Sequence, residues 1–293
     1  MTPQGGSARR DHLLESFTRV PGPVGITSPV RSRREHPHVY RARLRRGISP
    51  DGRILHAVRQ LMARRSLLRQ EWHDIVWCHW PVDPVQVQRL LPAGLTPHLF
   101  EGRAWIGLIP FSMRDLRLAG PLGPLSRLAG VGNFGEVNVR TYVQGPDGKT
   151  GVWFCTLDAD QWLSVRVANL AFGLPYRYAS TELCRDGDTM TWQSQRRGDG
   201  ARSELVVRPS TDESQTATSG LEAFLVERYA LYTLAFGRLW RGELSHDPWR
   251  VRPAQLLHAV TDTVTAAGFV AGENPHVMVG DPVDVTIYPL RRV

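Results

Sequence analysis

The segment FGEVNVRTYV (134–143) alternates strictly. Glu136, Asn138, Arg140 and Tyr142 fall on one side of an extended chain, and Val137, Val139, Thr141 and Val143 on the other. A helix would scatter both sets around its axis, so the segment is a strand. The turn PDGKTG (146–151) and a second apolar run, VWFCTLDA (152–159), extend it into a β-hairpin. Two surroundings fit the polar side chains. In a half-buried antiparallel sheet they face solvent; in a closed barrel they line the interior, since a barrel also gives each strand two environments. Periodicity alone leaves both open.

The neighbouring chain is of the same kind. WHDIVWCHW (72–80) alternates as one strand, with His73, Ile75, Trp77 and His79 on one face. DPVQVQRLLP (83–92) is a short helix in which Asp83 can cap, Pro84 suits the first turn and Pro92 helps end it. Leu99–Phe111 is a hairpin turning at Glu101–Gly102, and residues 114–133 form a Gly/Pro loop. Residues 181–197 make a further hairpin around Asp186–Gly187. Residues 198–220 read as polar linker, and SGLEAFLVERYALYTLA (219–235) as a helix with capping-box spacing from Ser219 to Glu222. Strands return over 237–255 and 283–290. The expected class is mainly β (α+β) with a few flanking helices.

Charge separates the N-terminal stretch from the rest. Residues 1–69 hold 15 Arg and four acids, a net +11 against +8 for the whole chain, which leaves −3 for 70–293. The stretch 1–69 is rich in Arg, Pro, Gly and Ser with little apolar periodicity, so a disordered extension is expected, apart from a short helix over 54–68. Either it is an electrostatic arm, the one route by which nucleic acid could be a partner, or it does little, or it is an over-extended translation start with Met62 as the true first residue. A single domain over 70–293 follows. No run approaches a membrane span and no secretory h-region follows the basic start. Cys78, Cys155 and Cys184 are unclustered, as for reduced thiols in a cytoplasmic protein. GVGNFG (130–135) is a literal G-x-G-x-x-G, but a loop precedes it and a strand follows, the reverse of a dinucleotide site. With no HExxH, Cys pair or His cluster, neither metal nor cofactor is expected.

HWPVDP (79–84), AWIGLIPF (104–111), GEVNVRTYV (135–143), GVWFCTLDA (151–159) and FGLPYRYA (172–179) resemble the signature blocks of the uncharacterised YqjF-like family, and LEAFLVERYALY (221–232) and GRLWRGELSHDPW (237–249) extend the match. That family is similar to acetoacetate decarboxylase, which implies a closed, double-layered β-barrel around a central pocket, and a homo-oligomer as a possible assembly. The resemblance also implies a place for a Schiff-base lysine, after a Gly-Phe-Pro. Here Gly173-Leu174-Pro175 is followed by Tyr176 and Arg177, and a phenol cannot form an imine. The single lysine, Lys149, lies in the 146–151 turn.

Glu136 looks like the pocket glutamate of those enzymes, and a looser alignment places His73 near their pocket arginine. The resemblance thus implies an acid/base pair, Glu136 and Tyr176. His73, His79, Asn138, Arg140 and Arg177 are candidate substrate-binding residues, an arginine being able to hold a carboxylate by two parallel bonds. On the residues alone, Glu136 and Arg140 can equally pair with each other, Tyr176 can be a packed aromatic, and Asp158 can cap a turn. The expected function is an enzyme acting on a small organic acid or carbonyl compound without an imine, of lyase or isomerase type. The alternative is a non-catalytic binder of a small apolar or aromatic metabolite.

Overall fold

A computed structural model describes residues 66–120, 123, 132–162, 165–166, 169 and 172–293. The Arg-rich stretch up to residue 65, including most of the helix expected over 54–68, lies outside them; Leu67 and Leu68 already pack and pair with the body of the sheet. Three parts of the sheet position the site. The first is a central trio, β4 (Ala104–Leu118), β5 (Phe134–Gln144) and β6 (Thr150–Ala159), paired antiparallel. The second is the pair β1 (Leu68–His73) and β2 (Val76–Val82), which both pair with β4, β2 over 104–108 and β1 over 112–118. The third is β7 (Tyr176–Asp186), which runs parallel to the end of β6.

The hydrogen bonding closes on itself twice. One circuit leaves β6 through β7, β8 (Thr189–Arg196), β9 (Arg202–Pro209), β13 (Arg250–Thr261) and β14 (His276–Gly280) and returns to β4 through β2. The other leaves β6 through β11 (Ala230–Ala235), β12 (Arg238–Ser245) and β15 (Val283–Ile287) and returns through β1. β4, β5 and β6 belong to both, so both faces of this trio are covered. That is why its residues are buried on consecutive positions rather than on alternate ones. On one face Ile106, Leu108, Val137 and Val139 pack with Met190, Trp192, Leu205 and Val207. On the other, Trp105, Ile109, Phe111 and Tyr142 pack with Trp77, Trp249 and Leu225.

α1 (Pro84–Leu90) is capped as its sequence implies, with Val85 N–H donating to Asp83 Oδ1 at 2.8 Å. Several expectations need correction. WHDIVWCHW is two strands, because Asp74 takes a left-handed conformation (φ 55°) and bends the chain between β1 and β2. Short polar Asp tolerates that region, and its carboxylate accepts from Ser112, Arg114 and Arg185. β4 continues to Leu118, inside the expected loop, because β1 supplies it with a partner edge.

The linker over 198–220 contains β9, whose Ser203, Leu205 and Val207 alternate inward, and the short β10 (Gln215–Thr216). The helix of 219–235 is only α2 (Gly220–Val226); Ser219 makes no capping bond, and Ala230–Ala235 is β11. Backbone pairing of that segment with both β12 and β6 outweighs its helical spacing. A last helix, α3 (Asp262–Ala266), follows β13.

Candidate active site

Partners in register share a face, so the sheet fixes which side chains meet. Asn138 on β5 faces Leu157 on β6, which faces Tyr176 on β7; Arg140 faces Gly107 on β4, which faces His79 on β2. Glu136, Asn138, Arg140, Tyr142, Trp77, His79 and Tyr176 therefore occupy one inward face. The polar side of β5 is not a solvent face: Glu136 is 3% exposed and Tyr142 fully buried. α2 lies over the Tyr142 end, where the Leu225 carbonyl accepts from Tyr142 Oη at 2.8 Å and Arg140 Nη2 at 3.1 Å.

Glu136 and Tyr176 form the centre. The Tyr176 hydroxyl donates to Glu136 Oε2 at 2.8 Å. Burial pushes the Glu136 carboxyl up to about 7, with the Asp158 charge adding to it and bonds from Tyr176 and Asn138 opposing it. Burial and the Glu136 charge hold the Tyr176 phenol well above its ordinary value, so it is a donor rather than a base. Asn169 fixes the approach to Tyr176: its side chain accepts from the Tyr176 N–H and donates to the Tyr176 carbonyl. Such a pair can pass a proton to and from a ligand atom at neutral pH.

The other candidates divide. His79 is completely buried; burial, then the charges of Arg140 and His276, push its pKa well below the usual range, so the ring is neutral. Its Nε2 is 2.7 Å from Tyr142 Oη. Arg140 does not pair with Glu136 but points towards Tyr142 and α2, its guanidinium 4.8 Å above the Trp77 ring. Asn138 Oδ1 is buried without a protein partner.

Two candidates do not join the group. His73 lies on β1 beside Glu71 (3.0 Å), separated from the β2 face by the Asp74 bend. Arg177 is exposed on the opposite face of β7 from Tyr176, its charge felt by Asp199.

Asp158 is not a turn ligand. It is buried on the far face of β6, both oxygens accepting from Arg196 Nε at 2.8 Å, with burial still raising its pKa. Lys149 is exposed near Glu243, outside this interior.

Arg228 and His98, not foreseen, belong to the site. Arg228 is buried just after α2, and its Nη1 is 3.2 Å from His98 Nδ1. A signal was present in the sequence: Arg228 follows Phe224 by four and Leu225 by three, an arginine on the apolar side of a helical pattern. Among the described residues no group of three or more His, Cys, Asp and Glu side chains is placed to hold a metal, and no helix is long and apolar enough to cross a membrane.

Comparison with known proteins gives the family and the fold. The family model DUF2071, described as an uncharacterised conserved protein, matches residues 69–284. The chain is 34% identical over 228 residues to the uncharacterised protein YqjF of Bacillus subtilis (strain 168), covering 77% of this chain and 92% of that one. Among solved structures, the enduracididine biosynthesis enzyme MppR complexed with pyruvate superimposes with a TM-score of 0.58 at 17% identity, over 79% of this chain and 91% of its own. An acetoacetate decarboxylase-like enzyme from Sphingomonas wittichii RW1 gives 0.55 at 16%, over 78% and 94%. At such identities these two likenesses carry the fold, which is of the acetoacetate decarboxylase-like type.

Proposed function

The chain belongs to the DUF2071 family of uncharacterised conserved proteins, and from that membership and the inward-facing site we propose that it is an acid/base enzyme for a small organic acid or carbonyl compound. The observation that carries the reading is Glu136, a buried carboxyl near neutrality bonded to the Tyr176 hydroxyl. An ionised Glu136 takes a proton from the ligand. As it does so, its bond from Tyr176 weakens, and the phenol is able to turn its donor to a ligand oxygen. Enolisation, hydration, cyclisation and non-imine lyase chemistry all use such a step.

A lysine imine is not part of the proposal, because the only lysine of the chain is Lys149 in the outer turn. Pyruvate bound to MppR makes small keto acids reasonable first substrates to try. The second reading, a binder without turnover, is favoured by the aromatic wall of Trp77, Phe100, Tyr142 and Phe224 beside the same groups.

One experiment separates the two readings. The full chain is isolated from its own host, the small molecules it carries are released and identified by native mass spectrometry, and each is returned to wild type and Glu136→Gln. The enzyme reading expects product from wild type and a loss of about 10²- to 10⁴-fold in the variant. Equal turnover by a folded Glu136→Gln contradicts it, and saturable binding with no product favours the binder.

A further inference from the structure

Arg140 and Arg228 are 6% and 7% exposed, and among the described residues neither has a carboxylate within ion-pair distance. They flank Tyr142, their guanidinium carbons 5.5 and 5.0 Å from its ring centre. Arg228 also lies 4.3 Å over Phe224. Rings offset part of the cost of burying a cation, but they accept no strong hydrogen bonds.

The Arg140 donors are met in part by Leu225 and Tyr142, and those of Arg228 by His98. Arg140 Nε, and both Nε and Nη2 of Arg228, are buried without a protein partner. Nε and Nη2 share one edge of a guanidinium. That edge presents two parallel N–H groups and fits a carboxylate bidentately. Two like charges held together in a buried place are costly unless an anion joins them. Burial and the Arg140 charge already lower the Arg228 pKa to about 10.

We propose that Arg140 and Arg228 form an anion clamp that seats the carboxylate of an acid with an extended apolar body. The inference rests on the ligand site proposed above and names its ligand class. Glu136 lies four residues along β5 from Arg140, about 13 Å of strand, and the Arg140 head is turned away from it towards Tyr142. Trp77 and the partnerless Oδ1 of Asn138 lie on the face between. A carboxylate at the clamp therefore sits at the far end of this face from Glu136, a span that an extended chain can bridge and a two-carbon acid cannot.

The test uses the full chain with hexanoate, acetate and neutral hexanamide as probes, read by thermal shift and titration calorimetry. Hexanoate is expected to raise Tm in proportion to the logarithm of its concentration, acetate to act far more weakly and hexanamide not at all. In Arg228→Gln the hexanoate Kd is expected to rise at least about thirtyfold, while the unliganded variant keeps or gains Tm through loss of a buried charge. No shift with hexanoate, equal shifts from acetate or hexanamide, or an undiminished shift in Arg228→Gln overturns the clamp. So does an Arg228→Gln protein that loses Tm while hexanoate leaves wild type unmoved, the mark of a purely structural brace. Glu136→Gln is expected to keep the hexanoate shift, so the clamp and the acid/base reading can fail separately.

Discussion

Tyr176 and Glu136, 40 residues apart, meet at 2.8 Å because β7 lies parallel to β6 and brings Tyr176 diagonally across from β5. The bond favours the ionised carboxyl, against burial. Replacing Tyr176 with Phe removes that support, so the Glu136 pKa is expected to climb above 7. The protonated-carboxyl stretch in the infrared, assigned by its absence in Glu136→Gln, should persist to higher pH in Tyr176→Phe than in wild type.

A raised carboxyl pKa also marks stability. Below about pH 4.5 Glu136 is protonated in both folded and unfolded chains. From there to about 7 only the unfolded chain ionises it, so wild type loses stability as pH rises; above 7 the loss is complete. Relative to wild type, Glu136→Gln should gain on the order of 3 kcal/mol across that window. Urea unfolding at pH 4 and pH 8 measures the difference, and an equal gap at both would contradict it.

Asp158 and Arg196 form a buried pair on the other face, with Thr156 accepting from Arg196 Nη2 at 2.8 Å. Asp158→Asn leaves buried Arg196 with only the half-exposed Asp199 carboxylate, 3.5 Å from its Nη1, as counter-charge, at an expected cost of about 3 kcal/mol. Asp158→Leu combined with Arg196→Met should recover much of that loss in thermal denaturation.

Gly107 lies beneath the His79 ring. A Cβ added there would come 2.8 Å from His79 Cδ2 and Nε2, the nitrogen that bonds Tyr142. Gly107→Ala must displace the ring or the strand, with about 1–3 kcal/mol lost. Because His79 Nε2 bonds the Tyr142 hydroxyl and both arginines lie against the Tyr142 ring, the hexanoate thermal shift is expected to weaken with it.

The β5 alternation placed Glu136, Asn138, Arg140 and Tyr142 on one face correctly, because a strand has one period and no choice of side. What they face was not legible: burial of both sides of β5 comes from two circuits closing on the same three strands, with most of their strands drawn from 176–287. The blocks shared with the YqjF-like family supplied the closed double-layered fold that periodicity left open.

His73 was misplaced by a single residue, Asp74, whose left-handed turn ends one strand and starts another. Arg228 was not singled out: the helix expected over 219–235 ends at Val226, and the chain beyond it turns Arg228 inward against Phe224 and Tyr142.

The central claim is that a buried Glu136 stands poised near neutrality beside Tyr176. Carbon-13 NMR of the full chain labelled at the glutamate side-chain carboxyl, with the Glu136 signal identified by Glu136→Gln, measures this directly. The account predicts a titration midpoint near pH 7. A midpoint near 4.5, the ordinary value, would contradict it and leave Glu136 a solvated strand residue with no acid/base role.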